Sequence, residues 1–583
     1  MQSNLSEQST PRINKTRLIA TTATLAVALS GLFPDTVAAG APVSGWFQNY
    51  APFQESLILS TLLALLPVFV MFVLLARRKP AHVACLTALT VTLFLATVVW
   101  KMPPALAVSS AGLGMMMAVF PILWTLANAV WIFNMLVDSG YFEVVKKTLG
   151  FVTKDRRLQT VLIGFGFTTL LESLAAFGAP IAIVGAMLVG LGFPPITAAV
   201  IALLADTTPG VWGTQGMPIV VLNSVTDLDI NTLTAIIGSQ TPVVSALCPA
   251  VLVLVMSGWK GLKGVWPVAL AVGLAYGLIA ALVASFMGPY VVGIAAALAA
   301  ILTTLLILYR WRPAQTWLLP GDDPETTTVQ SESPLRAKEV IRAWSPYFLL
   351  VVVIGLVNGT GLKNWLAQIS TLRIEWPGLH NAVNKTVPVV AQPEAYQAVY
   401  QQPLLQVGGS LVFFAGVLAA FTLGLKPGRA ALVYRQTLRQ LRLPGLTIIS
   451  ILGIAYLMNY SAMTYTVGLA FASTGFWFLM AITFLGALGC ILAGSVVASN
   501  ALFGNLSVVA GEQIGVDPAL SAGTLASGGT MGKAIAPQNL VIATSSLGLQ
   551  GREVDLLKRV LLVSVSFAAV IGTVAMLQQH LFK

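Results

Sequence analysis

Residues 57–79 read LILSTLLALLPVFVMFVLLARRK, an uncharged apolar run closed by Arg77, Arg78 and Lys79. Roughly 20 apolar residues are what a helix needs to cross the hydrocarbon core of a bilayer. Basic residues at one end of such a run mark the cytoplasmic side. The same pattern recurs outward from this stretch. Of the 583 residues, 57% are hydrophobic and 9% charged, and the mean hydropathy is +0.85. A soluble domain carries about 25% charged residues, so this chain cannot cover its own surface with polar groups and needs the bilayer as solvent. The fold class that follows is an all-α polytopic membrane protein with about 12–14 transmembrane helices.

The net charge is +11, but its placement argues against nucleic acid. Lys146, Lys147, Lys154, Arg156 and Arg157 follow one apolar run, and Lys426, Arg429, Arg435, Arg439 and Arg442 follow another. The basic loops at 77–80, 138–157, 258–266, 310–344 and 425–443 therefore read as cytoplasmic. Residues 1–41 carry Arg12, Lys15 and Arg17, then an apolar run, then small residues around Val37–Ala41. That order fits a secretory signal or an extra N-terminal helix. Residues 46–309 and 345–583 form two transmembrane halves joined by the linker 310–344, and residues 359–404 form an external loop with partial order. Cys85, Cys248 and Cys490 lie in apolar stretches, and the three histidines are far apart. No disulfide framework, metal site or cofactor follows from that spacing.

Short apolar segments cluster in two zones, 158–224 and 484–548. Between residues 158 and 226 only Glu172 and Asp206 are charged, and between 443 and 551 only Glu512, Asp517 and Lys533. Charges at membrane depth cost at least ~2.5 kcal/mol on insertion scales, so they persist where they face protein, water or a ligand. The first zone holds Leu171-Glu172-Ser173 leading to Phe177-Gly178-Ala179-Pro180, and later Asp206-Thr207-Thr208-Pro209-Gly210 leading to Gly216-Met217-Pro218. The second holds Gly494–Asn500 and later Ser527-Gly528-Gly529-Thr530-Met531-Gly532-Lys533. Paired interruptions in two halves point to a transporter built from two inverted repeats with broken or re-entrant helices at the midplane. Free N–H groups at helix starts near Gly178, Gly210 and Gly528 suit an anion, and a lysine suits its carboxylate.

Plainer readings stand beside these. Glu172 can cap a hairpin tip, Lys533 can snorkel to an interface, and Asp206 can pair structurally with Lys533. Asn459-Tyr460-Ser461 reads as glue between helices, Trp212 as packing, and Gly511–Pro518 as a surface turn. An intramembrane enzyme would need paired aspartates or a Ser/His dyad, and neither zone contains a histidine.

The chain resembles the lactate permease family over about residues 46–583. The resemblance rests on Trp46-Phe47-Gln48-Asn49-Tyr50, Lys101-Met102-Pro103, Leu171-Glu172, Phe177-Gly178-Ala179-Pro180 and Val189-Gly190-Leu191-Gly192-Phe193. It continues through Gly216-Met217-Pro218, Ser499-Asn500-Ala501-Leu502-Phe503, Gly528-Gly529, Gly532-Lys533 and Pro537-Gln538. It implies secondary import of a short 2-hydroxymonocarboxylate, lactate or glycolate, together with protons across a bacterial inner membrane. Another organic anion or Na⁺ coupling is the alternative. Gly178, Ala179, Pro180, Thr208, Gly210, Ser499, Asn500, Gly528, Gly529 and Lys533 are the expected substrate contacts, and Glu172 and Asp206 the proton carriers. Partners beyond the anion, the proton and the lipid bilayer are not implied. This chain departs from the family pattern at Ser173, Leu174 and Ala176, at Asp206 where the family has Asn, and at Val496 where it has Asp. Either the intramembrane carboxylate has moved from position 496 to 206, or the departures mark a changed substrate or lost proton coupling.

Overall fold

The structure, a computed structural model, describes residues 45–581 apart from 54–55, 78, 151, 176–177, 320–335, 361 and 391. The segment 1–41 and residues 320–335 of the 310–344 linker lie outside the described residues. The chain opens with β1 (Trp46–Phe47), α1 (Leu57–Ala76), α2 (Ala81–Val98), α3 (Pro104–Met117) and α4 (Trp124–Asp138). The last two form one span bent at Phe120, where the backbone leaves helical torsion angles ahead of Pro121. Then come α5 (Tyr141–Gly150), a continuous helix α6 over residues 156–175, α7 (Ala179–Gly190), α8 (Pro195–Ala205) and α9 (Gly213–Thr226). α10 (Ile230–Lys263), α11 (Trp266–Phe286), α12 (Val292–Arg310) and α13 (Ala337–Gly359) follow as long spans.

Residues 359–404 carry a cap of short elements. It holds α14 (Leu362–Ser370), the antiparallel pair β2 (Thr371–Glu375) and β5 (Val399–Pro403), and β3 (Val383–Lys385) with β4 (Glu394–Ala395). β1 pairs in parallel with β3, so the residues just before α1 join this outer cap. Beyond it lie α15 (Gly408–Thr422), α16 (Pro427–Gln440), α17 (Arg442–Tyr460), α18 (Met463–Phe471) and α19 (Phe478–Ala493). The chain closes with α20 (Val496–Gln513), α21 (Pro518–Met531), α22 (Pro537–Ser546) and α23 (Glu553–Leu581).

Among the described residues, ten helices are long and apolar enough to cross a membrane, or eleven if the bent pair Pro195–Ala205 and Gly210–Thr226 counts as one. This is below the expected 12–14, because several short apolar runs are half-length helices that stop inside the protein. Large apolar side chains such as Phe69, Phe94, Leu278, Leu306 and Leu562 stand exposed on the long helices. A patchwork of that size is what acyl chains cover.

One order of elements occurs twice. α6, a break at Gly178, α7, a short loop, α8, an irregular turn and α9 are followed by the long α10. α19, a break at Gly494, α20, a short loop, α21, an irregular turn and α22 are followed by the long α23. Lengths differ between the two: α7 has 12 residues where α20 has 18, and α8 has 11 where α21 has 14.

Sequence and structure disagree at Gly528 and Gly529. These residues do not break a helix; they lie inside α21, which runs unbroken to Met531. The break falls later, at Gly532–Ala536, with a single 3-10 turn over Lys533–Ile535. The small residues serve close packing of α21 on α19. A Cβ at Gly528 would stand 2.7 Å from Thr483 Cα and 2.8 Å from its carbonyl carbon, and backbone cannot move aside as a side chain does.

Two clamps hold the ends of this arrangement. Near the outer cap, the Gln48 amide donates to the carbonyls of Asn459 at 2.9 Å and Tyr460 at 3.0 Å, satisfying the open end of α17. Near the basic loops, Asp155 caps the start of α6 and accepts from Arg157 Nη2 at 2.6 Å and from Trp317 N at 3.0 Å. Arg157 also reaches the carbonyls of Gln315 at 2.8 Å and Gly261 at 3.3 Å, tying the linker and α10 to the helix that carries Glu172.

Replacing Gly528 by Ala sets a helix-propensity gain of up to ~1 kcal/mol against overpacking of typically ~1–3 kcal/mol. With backbone as the obstacle the clash wins, and a lower melting temperature of the purified protein is expected. Unchanged or raised stability would show that α19 and α21 do not meet there.

Candidate functional site

Glu172 sits one turn before the end of α6. Asp206 follows the last residue of α8, and Lys533 follows α21 inside the 3-10 turn. The folding brings these three together at the centre of the protein. Lys533 Nζ donates to Glu172 Oε1 at 2.5 Å, and Asp206 Oδ2 lies 2.8 Å from the same ammonium. The Asp206 contact is an ion pair without hydrogen-bond alignment. All three side chains are buried. Lysine at the end of a helix is favoured by the helix dipole, whereas Asp206 at the end of α8 is opposed by it. The ammonium offsets that opposition.

Local sequence explains how the groups approach. Gly178 (φ 85°) and Gly494 (φ 75°) take left-handed backbone at the two helix breaks. Gly210 leaves room for the lysine stem, since a Cβ there would lie 2.7 Å from Lys533 Cδ. Asn539 Nδ2 closes the 3-10 turn by donating to the Lys533 carbonyl at 2.9 Å. α7 and α20 begin beside the site, the latter capped by Ser495, whose Oγ accepts from Ala498 N at 3.1 Å. Their N-termini bring positive potential to the place where Lys533 already sits.

The space left between these parts is a cavity of about 30 Å³, bordered by Glu172, Gly178, Gly210, Thr214, Val496 and Lys533 among others. That volume holds a water molecule or two and is too small for an organic acid, so the groups around it must part before one can bind. A second cavity, of about 520 Å³, opens toward the external loop and is edged by Asn223, Asn231, Tyr290, Lys363, Gln397 and Gln401. α9 joins the two. Its first residues, Gly213, Thr214, Met217 and Pro218, border the central cavity, and Val220, Asn223 and Ser224 border the outer one.

Of the expected contacts, Gly178, Gly210 and Lys533 border the central cavity. Thr208 is buried close by in sequence to Asp206, and its hydroxyl lacks a partner among the described residues. Ala179 and Pro180 form the first turn of α7. Ser499 donates instead to the Gly486 carbonyl at 2.9 Å, and Asn500 to the Pro218 carbonyl at 2.9 Å, so both tie helices together. Gly528 and Gly529 are packing notches, as described above. Phe177 lies outside the described residues. Thr214, Ser495 and Asn539 complete the site but were not among the expected contacts. The signal for Ser495 was a serine directly before an apolar run. The other two lie within motifs already singled out around Gly216 and Pro537.

The profile of the L-lactate permease family matches residues 60–582. The chain belongs to this family. It is 38% identical over 552 residues to the glycolate permease of Escherichia coli (strain K12), covering 92% of this chain and 98% of that one. It is 33% identical over 559 residues to the L-lactate permease of Bacillus subtilis (strain 168), covering 92% and 99%. Among solved structures it aligns with Neisseria gonorrhoeae MtrF at 13% identity and TM-score 0.43, covering 79% of this chain and 81% of that one, a likeness too loose to argue from. This member of the family is therefore a multi-pass membrane protein whose relatives are permeases rather than enzymes.

Replacing Lys533 by Met leaves two buried carboxylates facing each other. Loss of one member of a buried pair typically costs ~3–5 kcal/mol. The variant is expected to melt well below the parent in detergent, and adding Glu172→Gln and Asp206→Asn is expected to restore most of the loss. A single variant as stable as the parent would mean that the three groups do not share charge.

Proposed function

We propose that this protein imports lactate or glycolate together with a proton, and that the shared ammonium of Lys533 is where the two are coupled. The observation that carries this reading is one lysine held by two buried carboxylates from elements far apart in sequence. With all three groups ionised the triad bears one net negative charge. A substrate carboxylate that binds Lys533 adds another, in surroundings that penalise unpaired charge. A proton taken up by Glu172 or Asp206 removes that excess and frees one face of the ammonium for the anion. Substrate and proton therefore favour each other's binding, which is what symport requires. The helix starts at α7 and α20 add positive potential for the anion.

The two sets of elements around Gly178 and Gly494 are proposed to act as inverted repeats, with residues 46–309 and 345–583 as the two halves. The narrow central cavity and the wider one beyond it fit a carrier that exposes its site to one side at a time. Val496 borders the same cavity as Lys533, which supports the idea that a carboxylate at 206 replaces one at 496.

Uptake of labelled L-lactate into proteoliposomes tests the reading. For one proton per anion, each unit of inward pH gradient is expected to support about tenfold accumulation, abolished by a protonophore. Asp206→Asn is expected to lose gradient-driven accumulation, and Asp206→Asn/Val496→Asp to regain part of it. Accumulation indifferent to the gradient would overturn proton coupling, and failure of the double variant would overturn the relocation.

A further inference from the structure

Thr214 is costly in two independent ways. Its backbone is left-handed, at φ 43°, and it opens a run of three such residues with Gln215 at φ 58° and Gly216 at φ 74°. A β-branched residue in that region is a conformational outlier, where glycine would be free of strain. The run is held from below, because a Cβ on Gly216 would come 2.6 Å from Pro289 Cβ. Its side chain is 1% exposed, and its hydroxyl has no hydrogen-bond partner among the described residues. A buried hydroxyl left unpaired is destabilising. Yet that hydroxyl belongs to a residue bordering the same central cavity as Glu172 and Lys533.

Strain and an orphaned polar group at one residue are expected at functional sites, where a ligand supplies what the protein withholds. Building on the transport reading above, we propose that Thr214 is the specificity-determining residue that reads the 2-hydroxyl of the substrate. A 2-hydroxy acid carries its hydroxyl on the carbon next to the carboxylate, so once the site widens to admit it, an anion bound at Lys533 presents that hydroxyl to the adjoining wall that Thr214 forms. Thr214 then gains the partner it lacks. A deoxy acid of the same length leaves it unpaired, and a site built to pair a substrate hydroxyl rejects the analogue without one.

The test compares L-lactate with propionate in proteoliposomes. The parent protein is expected to show a KM for propionate at least tenfold above that for L-lactate. Thr214→Val keeps the β-branch, hence the backbone strain, and removes only the hydroxyl. It is expected to raise the KM for L-lactate on the order of tenfold while moving the KM for propionate far less, which erases the preference. Thr214→Ser is expected to retain it, and keeps the test open if the valine variant does not fold. Equal KM values for the two acids in the parent, or a preference that survives in Thr214→Val or is lost in Thr214→Ser, overturn the assignment while leaving transport intact. A parent protein that moves neither acid overturns the transport reading, and this assignment with it.

Discussion

A lysine buried between two carboxylates is the constraint around which this protein is built. Charges at membrane depth are expensive, and each member of the triad is tolerable only because the others are in place. Because Glu172, Asp206 and Lys533 come from the ends of α6, α8 and α21, the ion pairs also fix how the two sets of broken helices face each other. A buried salt bridge is weak evidence for stability in itself, since apolar packing of equal volume often does as well. Under the proposed symport, three charges are retained because the lysine exchanges partners with an anion and a proton.

The rest of the fold is consistent with that proposal. Residues of α9 belong to both large apolar clusters, Ile219 and Leu222 to one and Met217 and Val220 to the other. This helix lies where two packed bodies meet, and it borders the central cavity at one end and the outer cavity at the other. Interiors are close-packed and shift between discrete arrangements rather than deform smoothly. A helix at the seam is therefore well placed to carry an opening of the site toward the outer cavity. The clamps at Gln48 and at Asp155 hold the cap and the start of α6.

Much of this was legible in the sequence, for identifiable reasons. The long spans announced themselves by apolar length, and Glu172, Asp206 and Lys533 stood out as rare charges in apolar surroundings. α21 was not legible: Pro518–Met531 is made of small and hydroxylated residues, so its hydropathy is low although it is buried throughout. Hydropathy measures lipid exposure, and a helix enclosed by other helices does not need it. The same enclosure turned Gly528 and Gly529 from apparent breakers into contact points. Thr214 was hidden for another reason, because positive φ at a threonine has no sequence signature. The amphipathic α5 and α16 went unmarked because their basic residues read only as loop charge.

In the proposed symport, anion and proton enter together through one charged site. The most direct measurement is the internal pH of proteoliposomes, free of any imposed gradient, when L-lactate is added outside. Coupling predicts internal acidification that tracks lactate entry at one proton per anion, beyond the slow leak of protein-free liposomes. Lactate entering through the protein with no matching change in internal pH would contradict the account.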